Sequence, residues 1–269
     1  MGSSHQRVRR LRRLVQKRSL RWSEGVCVLE GPDLVDAALA SGVEFEAVYV
    51  DAASIEIPSI DALTQRAGEA GVRVFALDEG VVERIADAQT PQPVLAAVRF
   101  EQRDVTSIPK AGLILVLHDL RDPGNVGTII RSADAAGATA VILSGQSVDP
   151  YNPKTLRASA GSIFHLPVVV ASIEKALDYF EGDAQLLATT VRGGRSHREV
   201  DFTITAVVVI GNEAEGLDDA TIDRCGQTIS IPMDGRSESL NAGVAASLIA
   251  FEALWQRRDA AATPSPPSL

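Results

Sequence analysis

A continuous apolar run at residues 113–117, Leu-Ile-Leu-Val-Leu, is the feature that most limits how this chain can fold. Such an uninterrupted run is typical of a strand that is covered on both faces, as in parallel sheets. A polar turn follows at residues 122–124, and Asn125 stands where a helix N-cap is expected. Apolar residues then recur at helical spacing over residues 126–137. The stretch predicts a strand, a turn and a helix of an α/β domain, and the turn is where such a domain builds a site.

Strand and helix patterns alternate along most of the chain, which predicts two α/β domains. We expect the smaller domain at residues 24–100 and the larger one at residues 112–257. Residues 101–111 are polar and contain a proline, so they are the expected linker. The end of the chain, residues 258–269, is rich in alanine, proline and serine and is expected to be disordered.

Composition excludes several classes of protein. No run reaches the roughly 18 apolar residues of a membrane span, and the basic N-terminus lacks the apolar stretch of a secretion signal. We therefore expect a cytoplasmic protein without a membrane partner. Cys27 and Cys225 are isolated in the sequence, which argues against a disulfide framework and a structural metal and favours two buried thiols.

The net charge of −9 is unevenly distributed. Residues 1–22 contain eight Lys or Arg and no acid, whereas the rest of the chain has 18 basic and 35 acidic residues. Residues 1–23 thus form a basic N-terminal arm, for which a solvated amphipathic helix and a frayed leader are both open. The protein places its positive charge locally and is unlike a general nucleic-acid coat.

Three polar turns of related character follow apolar strands in the larger domain, at residues 119–125, 211–216 and 232–241. Glycines in these turns let a ligand approach the backbone closely, and Pro232 stiffens the third turn. Together they predict a ligand that is held by main chain at the carboxyl ends of strands.

The three turns resemble motifs one, two and three of the SpoU/TrmH RNA 2′-O-ribose methyltransferases, in the SPOUT superfamily. The matching residues are Asp122-Pro-x-Asn125-x-Gly127-x-x-x-Arg131, then Gly211-x-Glu213-x-x-Gly216, then Ile231-Pro232-Met233 with Ser239-Leu240-Asn241. The smaller domain resembles the L30e-like RNA-binding domain of many of these enzymes, most clearly at Leu29-Glu30-Gly31 and the helix pattern after it.

The resemblance implies a fold and an activity. The fold is a C-terminal SPOUT domain with a parallel sheet and a deep trefoil knot, preceded by the L30e-like α/β domain. The activity is transfer of a methyl group from S-adenosylmethionine to a ribose 2′-hydroxyl of structured RNA, with 23S ribosomal RNA as the expected target. The family works as a homodimer with its site near the subunit interface and needs no metal.

The resemblance also implies roles for individual residues. Those expected to contact S-adenosylmethionine are Gly211, Ile231 and Leu240. Those expected to form the catalytic group are Asn125, Arg131, Glu213, Ser239 and Asn241. Because arginine stays protonated in proteins, we expect Arg131 to grip the neighbouring phosphate while phosphate or water accepts the hydroxyl proton.

Simpler roles are open for the same residues. Arg131 could pair with Asp134 along one helix, and Glu213 could cap its own turn. Ser239 and Asn241 could cap the last helix. The basic loop around residues 192–198 fits either a phosphate contact or a solvated surface. Gly243 departs from relatives that carry serine at this position, so any hydroxyl contact there is missing or supplied elsewhere.

Other functions fit the sequence less well. A dinucleotide-dependent oxidoreductase lacks its GxGxxG turn here, and a serine hydrolase at Ser237 or Ser239 lacks a GxSxG elbow. A tRNA 2′-O-methyltransferase and a catalytically silent RNA-binding protein of the same fold are the remaining alternatives. Intact Asn125, Arg131 and Asn241 favour the enzyme.

Overall fold

The computed structural model describes residues 1–262. Its strands are β1 Val26–Glu30, β2 Phe45–Asp51, β3 Val74–Leu77, β4 Val94–Arg99, β5 Leu113–His118, β6 Ala140–Ser144, β7 Val168–Val170, β8 Gln185–Thr189, β9 Arg195–Ser196, β10 Ala206–Ile210 and β11 Gln227–Ser230. Its helices are α1 Gln6–Gln16, α2 Arg18–Glu24, α3 Pro32–Ser41, α4 Pro58–Glu69, α5 Val82–Ile85, α6 Pro123–Ala135, α7 Pro153–Ser159, α8 Ile173–Phe180, α9 Asp219–Cys225 and α10 Ala242–Ala262.

The chain divides into two compact units whose boundaries differ from the predicted domains. The first unit contains residues 1–102 together with residues 149–165, which the sequence had assigned to the second domain. A buried ion pair holds this segment in the first unit. Arg21 Nη2 lies 2.6 Å from Asp149 Oδ2, and both side chains are 3% exposed. Separating such a pair would leave an uncompensated buried charge.

The first unit is a mixed four-stranded sheet in the order β1-β4-β2-β3, with only β2 and β3 parallel. The predicted basic arm belongs to this unit, because α1 packs against β1 and buries Val8, Leu11 and Leu14 in its core. The arm is therefore an amphipathic helix in the fold, and neither a frayed leader nor a segment separate from residues 24–100.

The second unit is a seven-stranded parallel sheet in the order β7-β6-β5-β10-β8-β11-β9. This confirms the predicted fold class of an α/β domain with a parallel sheet. Helices α8 and α9 contribute to a buried cluster on one face, while α6 and α10 pack on each other and contact β6 and β5. Val105 and Ile108 of the predicted linker are buried in that cluster, so the linker is part of this unit.

Two helix boundaries that frame the site also differ from prediction. Helix α6 begins at Pro123, and Asp122 is its cap because Asp122 Oδ1 accepts from the Asn125 backbone N–H at 2.8 Å. Asn125 therefore lies in the first turn, which frees its amide for other contacts. Helix α10 runs to Ala262, beyond residue 257, where the larger domain was expected to end. The rest of the predicted tail, residues 263–269, lies outside the described residues.

Candidate active site

A cavity of about 290 Å³ lies where the carboxyl ends of β8, β10 and β11 meet at one edge of the parallel sheet. Ligand sites of α/β sheets occupy this edge, and the volume lies at the lower end of the range for small-molecule pockets. Three loops close around it. Its lining residues fall at positions 189–191, 210–213, 215–217, 222, 229–231, 233, 239–240, 242, 245 and 249.

The chemistry of the cavity wall selects its ligand. Most lining side chains are aliphatic, while the two charged side chains that line the cavity are both carboxylates, Glu213 and Glu215. A wall of this kind does not suit phosphate groups, because no lining side chain is a cation. It suits an apolar ring joined to a positively charged centre. S-adenosylmethionine, with an adenine and a sulfonium, has these properties, so the residues present fit the predicted cofactor.

The three predicted cofactor residues all line this cavity: Gly211, Ile231 and Leu240. Position 211 requires glycine because the backbone of residues 216–217 passes very close to it. A Cβ atom added at position 211 would lie 2.5 Å from the carbonyl carbon of Gly216. The loop folds back on itself here, through an antiparallel bridge between Asn212 and Gly216. No side chain fits at that distance, so the second motif needs glycine to shape the cavity wall.

Hydrogen bonds join one residue from each of the three motifs. The Asn125 amide donates through Nδ2 to Glu213 Oε1, and Asn241 Nδ2 donates to Asn125 Oδ1 at 2.9 Å. Asn241 Oδ1 accepts in turn from the Val244 backbone N–H at 3.2 Å and so caps α10. Because Glu213 also lines the cavity, this chain couples the start of α6 and the start of α10 to the cofactor pocket. We call it the Asn125–Glu213–Asn241 chain.

The structure does not give Glu213 or Ser239 the capping role that the sequence left open for each. Glu213 does not cap its turn: Asn212 does, since its Oδ1 accepts from the Ala214 backbone N–H at 2.8 Å. Asn212 also donates through Nδ2 to the Asp119 carbonyl at 2.9 Å. Ser239 lies three residues before α10, so it is not the helix cap, and it lines the cavity instead.

Arg131 is exposed on α6 and stands apart from the hydrogen-bonded chain. Within the described part of the chain its guanidinium makes no hydrogen bond or salt bridge, so the pairing with Asp134 is not formed. It lies six residues along the helix from Asn125, on the face that it shares with exposed Thr128. Its donors are therefore available to a ligand.

Some residues around the site carried weaker signals in the sequence. Asn212 stands inside the second motif but was not singled out, although its position between two glycines pointed to a loop-shaping role. Thr189 and Thr190 line the cavity because β8 ends there beside β10 and β11. The order of the strands was the missing information, since pairing of β8 with β10 cannot be read from their positions in the chain.

Two further features of the sequence find explanations nearby. A Cβ at Gly243 would lie 3.1 Å from Asn241 Oδ1 and 3.4 Å from Thr128 Cγ2, so a side chain at this position would crowd the Asn241 amide. In the basic loop, His197 is buried and its pKa is lowered by desolvation, whereas Arg192, Arg195 and Arg198 are exposed. His118 is hydrogen-bonded through Nδ1 to Ser144 Oγ at 3.0 Å, and it does not line the cavity.

Comparison with known proteins agrees with this geometry. Residues 112–251 match the SpoU rRNA Methylase family, and residues 5–96 match the MRM3-like substrate binding domain. The chain is 31% identical to the 23S rRNA (guanosine(2553)-2′-O)-methyltransferase RlmP of Bacillus subtilis, over 93% of this chain and 96% of that protein.

Solved structures give the same result. The SpoU methyltransferase AviRb of Streptomyces viridochromogenes in complex with the cofactor AdoMet aligns with a TM-score of 0.84 and 30% identity, over 94% of this chain and 98% of that one. The AdoMet-bound rRNA methyltransferase of Sinorhizobium meliloti aligns with a TM-score of 0.81 and 30% identity, over 95% of both chains. The motifs, the cavity and these alignments agree: the chain belongs to the SpoU rRNA methylase family.

Proposed function

We propose that this protein transfers a methyl group from S-adenosylmethionine to a ribose 2′-hydroxyl of 23S ribosomal RNA. The observation that carries the proposal is the Asn125–Glu213–Asn241 chain, which connects all three motifs to a phosphate-excluding cavity. The family membership and the AdoMet-bound relatives support the cofactor. The name of the Bacillus subtilis relative supports the ribosomal substrate.

The cavity holds the cofactor through its backbone and aliphatic walls. Ile231 and Leu240 would contribute apolar surface to a bound cofactor, and Gly211 would allow close approach of the backbone. Glu213 and Glu215 would supply negative charge that complements its sulfonium. The bound cofactor supplies an electrophilic methyl group.

The chain's own residues position the hydroxyl and manage its charge. Arg131 presents a planar fork of donors, which suits bidentate grip of the phosphate next to the reacting ribose. A fixed cation there stabilises the developing alkoxide, so the hydroxyl loses its proton to phosphate or water without an arginine base. Asn125 is hydrogen-bonded to Glu213 and Asn241, and Ser239 lines the cavity.

We also propose that the protein is a cytoplasmic homodimer that pairs through α10. Val244, Leu248 and Trp255 are 48%, 41% and 55% exposed, and half-buried Phe251 completes a stripe at helical spacing. A continuous stripe of exposed apolar side chains favours a protein partner. Because α10 packs beside α6, a second copy on this stripe would approach the helix that carries Arg131.

The trefoil knot belongs to the same proposal. Strand β11 lies between β8 and β9, yet α10, which follows it, packs on α6 and contacts β5 on the other side of β10. Residues 231–241 must therefore cross the ends of β8 and β10 within a short segment. This path supports the knot that the family resemblance implies.

A methyl-transfer assay tests the proposed activity. The protein is incubated with S-adenosylmethionine labelled in its methyl group and with an unmodified 23S rRNA transcript, and the RNA is hydrolysed in alkali. Label in alkali-resistant dinucleotides is expected, because a methylated 2′-oxygen cannot attack the adjacent phosphate. Label on a base would contradict the proposal. Transfer to a tRNA pool with none to 23S rRNA would favour the tRNA alternative.

A further inference from the structure

The solvent-facing side of α1 carries three cations with no structural partner. Val8, Leu11 and Leu14 face the core, which turns Arg9, Arg12 and Arg13 outward at i, i+3 and i+4 spacing. Among the residues that the structure describes, none of these three guanidinium groups has a carboxylate within salt-bridge distance or another hydrogen-bond partner. We call these three residues the α1 basic face.

Neighbouring cations in the same segment are used differently. Arg10 bonds to both Glu24 and Glu46, with Nη1 to Glu46 Oε2 at 2.6 Å. Arg21 is buried against Asp149. The segment thus has two classes of arginine, one that holds the fold together and one that faces water with its charge unneutralised.

The α1 basic face opposes the stability of its own helix. Like charges three and four residues apart repel, as Arg9 does with Arg12 and Arg13. Arg9 lies near the N-terminal end of α1, which has no acidic residue in its first turn, so its charge also opposes the helix dipole, whereas Arg13 lies in the last turn, where a cation is favoured. Uncharged glutamine would form the helix as well. The fold therefore does not explain why all three positions are arginine.

We propose that the α1 basic face binds the phosphodiester backbone of the RNA substrate. The inference rests on the proposed function for the identity of the ligand. Arginine forks match phosphate oxygens in two-point contacts, and α1 is about 16 Å long, enough to lie along several phosphates. In a protein of net charge −9, a local cationic face also directs a polyanion to one surface. Contacts to backbone alone position the RNA without reading its sequence.

The test measures RNA binding by the full chain over a range of salt concentrations. The probe is a labelled 23S rRNA transcript, and the variant is R9Q/R12Q/R13Q. The control is R66Q/K110Q/R224Q, which removes three exposed cations that are already paired with Asp36, Asp183 and Asp178. Both triple variants lower the net charge equally, so a difference between them isolates the α1 basic face from overall charge.

We expect R9Q/R12Q/R13Q to bind RNA at least tenfold more weakly near 0.1 M salt, while the control changes little. Each lost phosphate contact reduces the slope of log affinity against log salt by about 0.7 to 0.9, so the variant's slope should fall by about two to three. Its melting temperature should equal or exceed that of the wild type, because like charges are removed from α1, and its affinity for S-adenosylmethionine should match that of the wild type, which excludes misfolding.

Wild-type affinity and slope in R9Q/R12Q/R13Q would overturn the proposal, as would equal losses in the two triple variants. Binding to phosphatidylglycerol vesicles that depends on these arginines, with RNA binding unchanged, would assign the face to a membrane surface and overturn it too. The failure of the proposed function is distinguishable. In that case the wild type would transfer no methyl group, yet RNA binding would still depend on the α1 basic face.

Discussion

Arg131 is the proposed site residue whose side chain the fold itself uses least. Its guanidinium makes no hydrogen bond or salt bridge within the described structure, although Asn125, at the start of the same helix, is hydrogen-bonded on both sides. A cation without a structural partner, on the helix that begins at a hydrogen-bonded chain reaching the cofactor cavity, is available to a ligand that carries negative charge. An RNA phosphate is that ligand in our account.

Replacement of Arg131 by lysine tests whether the fork geometry matters. The substitution keeps the charge and removes the two-point grip, so we expect turnover to fall about 100-fold. The melting temperature should stay within about 2 °C of the wild type, since an exposed side chain without partners is replaced. Stopped-time methyl-transfer assays and thermal unfolding measure the two effects. Near-wild-type turnover in Arg131→Lys would mean that charge alone suffices.

The two cysteines give a prediction about pH. Burial raises the pKa of Cys27 to about 12 and that of Cys225 to about 11, because desolvation disfavours the thiolate. At about pH 8 only a minute fraction of either thiol is ionised in the folded state, so both should resist a disulfide reagent such as dithionitrobenzoate. Both should react rapidly in denaturing guanidinium chloride. Rapid stoichiometric modification of the native protein would contradict the burial of these side chains.

At the scale of elements, the second-motif loop is the most sharply constrained. The Gly211→Ala variant places a Cβ 2.5 Å from the Gly216 backbone, which cannot move aside as a side-chain end would. We expect at least a tenfold loss of affinity for S-adenosylmethionine, measured by calorimetry, because the cavity wall must shift.

Gly235→Ala is the matched control for that loop. Gly235 lies in the loop after β11, and a Cβ there would meet no atom within 4 Å. Its cofactor affinity should equal that of the wild type. Equal losses in both variants would show general sensitivity of the loops, and no loss in Gly211→Ala would contradict the tight approach of the two glycines.

Elements of the larger unit could be predicted well from local pattern. The apolar run 113–117 became β5, and the second and third motifs line one cavity, to which the first motif is joined through the hydrogen bond of Asn125 to Glu213. What the sequence could not give was non-local. Residues 149–165 pack with the first unit because Asp149 meets Arg21, 128 positions away along the chain. Val105 and Ile108 looked like linker residues because a short segment has no periodicity to reveal a buried face.

The basic arm illustrates the same limit from the other side. Its charge was evident, but the spacing of Val8, Leu11 and Leu14 was hidden among arginines, so its role in the first unit's core was not predicted. At the site, Gly211, Ile231 and Leu240, which the motif resemblance assigns to the cofactor, all line the cavity. The helix cap at Asp122 was missed because Asn125 is equally good as a cap by residue type.

At the scale of the whole molecule, the exposed stripe on α10 predicts the assembly. Leu248→Lys combined with Trp255→Lys places two charges on that stripe, and we expect the protein to change from two chains to one in sedimentation analysis. The Ile57→Lys variant, at an apolar position that is 46% exposed in the first unit, is the control and should leave the assembly unchanged. A wild type that sediments as one chain would contradict the proposed homodimer.

The central claim is that this protein methylates a ribose 2′-hydroxyl in 23S ribosomal RNA, with Arg131 as a fixed cation. Mapping of alkali-resistant linkages in 23S rRNA from cells with and without the protein tests it most directly. We predict one position that loses its resistance when the protein is absent, that regains it with the wild type, and that does not regain it with Arg131→Ala. An identical pattern of resistant linkages in cells with and without the protein would contradict the account.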